Sequence, residues 1–326
     1  MRAGAALAAL ALAVGLGAGC GGGGSTSPGR VTLLLDFTPN ANHAGIFSAV
    51  SRRYDRREGV RLDVRTPADS AAALKLLAAG RADLAVLDIH DLALAREHGA
   101  DVVGVAALVQ RPLASVIAAR RVSTPRALEG QRVGVTGVPS DDAVLHSTVR
   151  GAGGDPARVG TVTIGFNAVS SLLAGRVAAA TAFWNIEGVA LARRASGFHP
   201  FKVDEYGAPG YPELVLSVTR STLVHRRNMI RRVLRALSRG YLFAEQNPSR
   251  SARDLVRAQP GLDPQLVESE LVATTPIFLR PNHRWGQLDP ATLRAWSSWE
   301  ARFGIVKRPP DVARAFDGSL VPRGSS

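Results

Sequence analysis

The sequence predicts an α/β protein of two lobes, with mostly parallel strands and a ligand cleft between them. Three observations carry this expectation. Short apolar runs of β type alternate with helical patterns along the chain after residue 29. The segment LKLLAAGRADLAVL (74–87) is echoed by SSLLAGRVAAATAFW (170–184), each a helix end, a glycine-arginine stop and a strand. Each copy also lies downstream of its own strand-turn-helix start, VTLLLDFTPNANHAGIF for the first and QRVGVTGVPSDDAVLHSTV for the second.

At the N-terminus, Arg2 precedes the stretch AALAALALAVGLGAG. Its apolar run of about 14 residues is short of the roughly 20 that span a bilayer, so it reads as a secretory signal. Cys20 follows and is the only cysteine, so no disulfide can form within one copy. GAGC resembles a bacterial lipobox, with Gly17 where a leucine is usual. Residues 1–19 are therefore expected to be a lipoprotein signal peptide, Cys20 the lipidated residue, and 20–29 a Gly/Ser tether to the membrane.

In the first lobe, VTLLL (31–35) is expected to be a strand. Residues 43–54 follow as an amphipathic helix with Ile46, Phe47, Val50 and Tyr54 on one face. VRLDVRT (60–66) is the next strand, ADSAAALKLLAAG (68–80) a helix stopped at Gly80, and ADLAVLD (82–88) a third strand. Apolar stretches near 102–118 and 213–219 carry the chain between lobes and make a hinge of two strands. The helical C-terminal third (221–316) completes the first lobe. Lobe 1 thus comprises 30–112 and 215–326, and lobe 2 comprises 113–214. Within the C-terminal third, HRRNMIRRVLRALSRGY (225–241) is a basic amphipathic helix with Met229, Ile230, Val233, Leu234 and Leu237 as its buried stripe.

The formal net charge of +13 would ordinarily point to nucleic acid. Three of the 40 basic residues are lysine and the rest are arginines scattered along the chain, while aromatics make up only 6%. A nucleic-acid footprint clusters its charge and interleaves aromatics, so no nucleic-acid partner is expected.

Two such lobes turn their strand C-termini, and the helix N-termini that follow, toward one cleft. DFTPNANHAG (36–45) is the first of these turns. Asn42 there is a good helix N-cap, which alone would explain it. Asp36, Phe37 and His43 beside it make ligand contact the fuller reading. AFWNIEG (182–188) is the second turn, holding Trp184, Asn185 and Glu187. Glu187 in a first helical turn could simply serve the helix dipole. Alternatively, Trp184 is a stacking wall and Glu187 accepts two adjacent N–H groups from the edge of a ring-protonated aminopyrimidine. In TGVPSDD (136–142), Ser140 and Asp141 stand at a helix N-terminus with free backbone N–H groups. Asp88, ending the third strand, joins these candidate contacts. The sequence has no HExxH, cysteine pair, GxSxG, P-loop or GxGxxG. No metal, cofactor or catalytic residue is expected.

Four segments, DFTPNANHAGIFSAV, GVTGVPSDDAVL, TAFWNIEGVAL and GAPGYPELVL, resemble the substrate-binding proteins of ABC transporters that import thiamine pyrimidine precursors. The similarity runs from about residue 30 to residue 322, with Phe37 where that family usually has tryptophan. It implies a periplasmic-binding-protein fold that closes on a small aromatic ligand, hydroxymethylpyrimidine-like or formylaminopyrimidine-like. Asp36, Phe37, Asn42, His43, Trp184 and Glu187 would line the cleft, with Tyr211 near the second crossing. It further implies ABC permease and ATPase subunits as partners, a monomer, and a place on the extracytoplasmic face of the cell envelope. Relatives in the broader group bind riboflavin or sulfonates, which is the alternative ligand class. Eukaryotic pyrimidine synthases share the fold and the NANH of the first motif, so a pyrimidine-synthesising enzyme is the alternative of another kind. Their cysteine-rich catalytic motif has no counterpart here, and a non-enzyme is expected.

Overall fold

The computed structural model describes residues 29–68, 72–138, 140–282 and 284–322. The expected signal peptide and Cys20 lie outside them. Ten strands form two five-stranded sheets. The first sheet holds β1 (Gly29–Leu34), β2 (Val60–Arg65), β3 (Leu84–Asp88) and β4 (Val102–Ala107). The second holds β5 (Ala114–Ala119), β6 (Arg132–Val135), β7 (Gly160–Thr163), β8 (Ala179–Phe183) and β9 (Phe198–Lys202). The last strand, β10 (Leu214–Thr219), returns to the first sheet.

The spatial orders are β2-β1-β3-β10-β4 and β7-β6-β8-β5-β9. β1 pairs in parallel with β2 and β3, as β6 does with β7 and β8. β10 runs antiparallel to both of its neighbours, and so does β5. The two sheets therefore share one topology, and the echoed segments end in the equivalent strands β3 and β8. In each sheet the antiparallel strand is the one that arrives directly from the other lobe. The central strands β3 and β10 are buried on both faces along almost their whole length, as their apolar runs LAVLD and LVLSVT require.

Several helices differ from their expected bounds. The stretch 43–54 splits into the helices Ala44–Ser51 and Tyr54–Arg57. Between them Arg53 takes φ 58°, a left-handed conformation that costs a non-glycine residue energy. The break turns Asp55 inward, where its carboxylate accepts the N–H groups of Arg56 and Leu62. The basic helix runs Arg227–Gln246, and its buried face includes Ile230, Val233, Leu234 and Leu237, with Met229 only partly covered. Its arginines stay wet; Arg235 and Arg239 both reach Glu58, at 2.8 and 3.1 Å.

This helix packs closely on Ala44–Ser51. A Cβ on Gly240 would lie 2.0 Å from the Gly45 carbonyl oxygen, and one on Gly45 would lie 2.4 Å from the Tyr241 ring. The close approach lets Tyr241 stack on Trp285, centroids 5.0 Å apart and planes at 13°. One hydrophobic cluster belongs to both lobes: Leu34, Leu87 and Val215 join Val116, Val133 and Leu145 through Tyr211, Trp296 and Trp299. Apolar packing thus ties the lobes at their base. Among the described residues no helix is long and apolar enough to cross a membrane.

Candidate functional site

Where the strand ends of the two sheets face each other lies a cavity of about 440 Å³. That is a common size for a small-molecule pocket. Asp36, Phe37, Asp88, Ser140, Asp141 and Glu187 line it, together with Asp91 and Phe166. Five of these lining residues are carboxylates. Among the described residues no arginine lines it, and Lys75 is the one lysine.

The turn after β1 is held largely by its own hydrogen bonds. Asn40, rather than Asn42, is the N-cap, its Oδ1 accepting the Asn42 N–H at 2.9 Å. His43 Nδ1 accepts the Asn40 N–H at 3.2 Å. The proton of the neutral ring is therefore on Nε2, which donates to Asp36 Oδ1 at 2.8 Å. His43 is fully buried and lies behind the lining, where it aims the Asp36 carboxylate.

Asn42 and Asn185 are fully buried and meet each other across the lobes. Asn185 Nδ2 donates to Asn42 Oδ1 at 2.7 Å and to Thr274 Oγ1 at 2.8 Å. Phe37 also meets the opposite lobe, its ring centroid 4.0 Å from that of Phe166 at an interplanar angle of 58°. The short range of these contacts marks a closed arrangement of the lobes.

At the start of the helix Ser140–Gly151, Asp141 is fully engaged. Its Oδ2 accepts from Thr136 Oγ1 at 2.8 Å and from the Gly137 and Val138 N–H groups at 2.8 and 3.1 Å. Oδ1 accepts from Thr181 Oγ1 at 2.5 Å. Asp141 thus braces the turn against β8. Ser140 stands beside Asp91 of the opposite lobe. Burial pushes Asp91 up to about 6, against the pull of His90 and Ser140.

Glu187 opens the helix Glu187–Arg194, and its Oε2 accepts the Phe183 N–H at 3.1 Å. Burial pushes its carboxyl up to about 7; the backbone N–H bonds pull it down and the charge of Asp36 adds to the rise. Trp184, expected as a stacking wall, lies outside the lining. Its indole donates to the Pro112 carbonyl at 3.0 Å in the first crossing, and Lys202 Nζ sits 4.5 Å from the ring centroid. Of the turn 182–188, Ala182, Phe183 and Glu187 line the cavity, while Trp184 and Asn185 do not.

At the cleft base, Asp88 caps the helix Ile89–Glu97 through Oδ1, which accepts the His90 N–H at 2.8 Å. Behind it, His90 Nδ1 is bonded to Glu300 and Nε2 lies 3.0 Å from Tyr211 Oη. Tyr211 is fully buried there and does not line the cavity. Glu213 Oε2 accepts the Leu113 and Ala114 N–H groups at 2.6 and 2.8 Å, which fastens the second crossing to the first. Burial pulls His90 down, yet the charges of Glu300, Asp88 and Glu213 hold it at about 10. Burial and the charge of Glu213 raise Asp88 well above the usual carboxylate range.

Sequence reasoning missed Phe166, Asp91 and Glu213 as parts of this region. Phe166 had a signal: it follows β7 at a strand-to-helix turn, as Phe37 follows β1. Asp91 and Glu213 had none, because Ser140 lies 49 residues from the first and Asp88 lies 125 from the second.

The profile of a family described as NMT1/THI5 like matches residues 40–251. A formylaminopyrimidine-binding protein from Halalkalibacterium halodurans is 28% identical over 88% of this chain and 89% of its own length. A 4-amino-5-hydroxymethyl-2-methylpyrimidine phosphate synthase from Legionella pneumophila is 24% identical over 78% of this chain and 82% of its own. Among solved structures, the periplasmic aliphatic sulphonate binding protein of Escherichia coli superposes with a TM-score of 0.70. It is 17% identical, with 92% of this chain and 96% of that one covered, and it shows that the fold is that of the periplasmic binding proteins.

Proposed function

Because the chain belongs to the NMT1/THI5-like family, we propose that it is a solute-binding protein that closes its lobes on a thiamine pyrimidine precursor. The ligand is an aminopyrimidine of hydroxymethyl or formylamino type, passed on to the permease and ATPase subunits of an ABC importer. Cys20 carries the lipid anchor that keeps the protein on the extracytoplasmic face.

The observation that supports this reading most is the lining of the cavity. In a chain with 40 basic residues, the described residues around it include five carboxylates and no arginine. Such a wall accepts hydrogen bonds from amino groups and protonated ring nitrogens. A sulfonate only accepts hydrogen bonds, and the described lining offers it Lys75 as the one lysine and no arginine. Glu187 supplies the paired acceptor and Asp36, aimed by His43, a second. Phe37 and Phe166, one from each lobe, provide flat apolar faces for the ring. Ligand that bridges Asp36 and Glu187 binds the closed form preferentially and shifts the population toward it.

The reading is of a binder and not a catalyst. The sole cysteine is Cys20, which lies outside the described residues, and the imidazole of His43 is occupied within its own turn. Thermal-shift and calorimetric titrations with aminopyrimidines, riboflavin and alkanesulfonates test it. An aminopyrimidine at 100 times its dissociation constant should stabilise the fold by about 2.7 kcal/mol and be recovered unchanged. Tighter binding of a sulfonate or of riboflavin, or conversion of the pyrimidine to a new product, would overturn it.

A further inference from the structure

We propose that Asp88, His90 and Glu213 form a binding site for a divalent transition cation of the Zn²⁺ type at the base of the cleft. The three side chains bring one donor atom each to within 4.8 Å of one another. His90 Nε2 and Glu213 Oε1 are 3.7 Å apart. Donors around one Zn²⁺-like ion at about 2.0–2.2 Å sit roughly 3–3.6 Å apart, so small inward shifts complete the shell.

Each side chain is already anchored by its other polar atom. Asp88 Oδ1 is fixed by the His90 N–H, and Glu213 Oε2 by two N–H groups of the first crossing. His90 Nδ1 is held by the Glu300 carboxylate. A carboxylate on the far nitrogen is how metal-bound imidazoles are ordinarily oriented.

A second observation points the same way. Glu213 is fully buried, and its Oε1 has no hydrogen-bond donor among the described residues. An unmatched buried carboxylate oxygen is costly. Three carboxylates, Asp88, Glu213 and Glu300, share one imidazole, and a dication offsets the excess negative charge. One imidazole nitrogen with two carboxylate oxygens suits Zn²⁺ and its neighbours better than Ca²⁺ or Mg²⁺. Tyr211 Oη, 3.0 Å from Nε2, yields its place or moves aside when the ion enters. Asp88 lines the cavity, which gives the ion its way in. A bound ion would sit where the two crossings meet, between ligand and hinge. The competing occupant is a proton shared by Asp88 and Glu213.

Chelator-stripped, tag-free protein, without any pyrimidine, is dialysed against Co²⁺ and Zn²⁺, so the outcome is independent of the ligand assignment. One equivalent should bind, with the visible absorption of Co²⁺ held by nitrogen and oxygen, displaced by Zn²⁺. Asp88→Asn and Glu213→Gln should each weaken binding at least tenfold; Glu213→Gln keeps an acceptor for the crossing N–H groups. No stoichiometric binding overturns the proposal and leaves the shared proton as occupant. Unchanged affinity in both variants assigns the ion to surface histidines and overturns it equally. Should either variant fail to fold, anomalous scattering from Zn²⁺-soaked crystals of the wild type decides: a peak among these three residues supports the site, and its absence there refutes it.

Discussion

Glu187→Gln separates recognition by a charged acceptor from a mere helix-terminal acid. In the structure the Glu187 carboxyl is pushed up to about 7 by burial, with Asp36 adding to the rise. Oε2 is committed to the Phe183 N–H, so the carboxylate is held in one orientation before ligand arrives. Glutamine keeps the shape and loses the charge. Removing a charged acceptor from a buried hydrogen bond costs about 1.5–3 kcal/mol, which is about 10- to 150-fold in dissociation constant. The pH dependence adds a second signature. For an aminopyrimidine that keeps its ring proton over the range, the edge presents two N–H groups and binding requires ionised Glu187. With its pKa at about 7, the wild type should tighten about tenfold between pH 6 and pH 8. The glutamine variant should be weak and nearly flat over the same range. Calorimetry at both pH values on both proteins is the assay. An unchanged dissociation constant and an unchanged pH profile in the variant would refute the assignment of Glu187 to the ligand.

Asn185→Ala removes the bonds to Asn42 and Thr274 that exist only when the lobes meet. The closed form should lose about 1–3 kcal/mol, seen as weaker ligand binding and a larger radius of gyration by small-angle scattering. Glu270 is pushed up to about 8, chiefly by burial, with Glu187 adding to the rise. A raised carboxyl favours the fold fully below its ordinary pKa, and that contribution is lost as pH rises through about 8. Glu270→Gln should therefore flatten the decline in melting temperature between pH 5 and pH 9, and an unaltered decline would count against it. Gly240→Ala places a Cβ on the Gly45 carbonyl and should destabilise by about 1–3 kcal/mol in chemical denaturation. Cys20→Ser should move the protein from the membrane to the soluble fraction, and retention on membranes would rule out the lipid anchor.

The two-lobe α/β build was legible in the sequence because strand and helix periods are local. The runs 31–35, 60–66 and 82–88 need only their own alternation and flanking turns to be recognised, and the echo at 74–87 and 170–184 returns as the equivalent strands β3 and β8. The position of the cleft was legible too, since strand ends and helix starts must face it in such a topology. Which side chains enter the cleft was not. Asp36 and Glu187 do, while His43 turns back into its own turn and Trp184 turns out to the first crossing. A rotation of one residue at a strand end reverses the direction of a side chain, and that rotation is set by twist and by distant packing. Helix ends such as the break at Arg53 follow from Asp55 finding the Leu62 N–H, a tertiary contact. The buried group around His90 was the least legible of all. Asp88 and His90 stand two apart in the chain, but Glu213 and Glu300 reach them only after the chain has crossed twice between lobes and added its C-terminal helices. Local patterning carries the elements and their order; the meeting of charges more than a hundred residues apart is decided only by the packed fold.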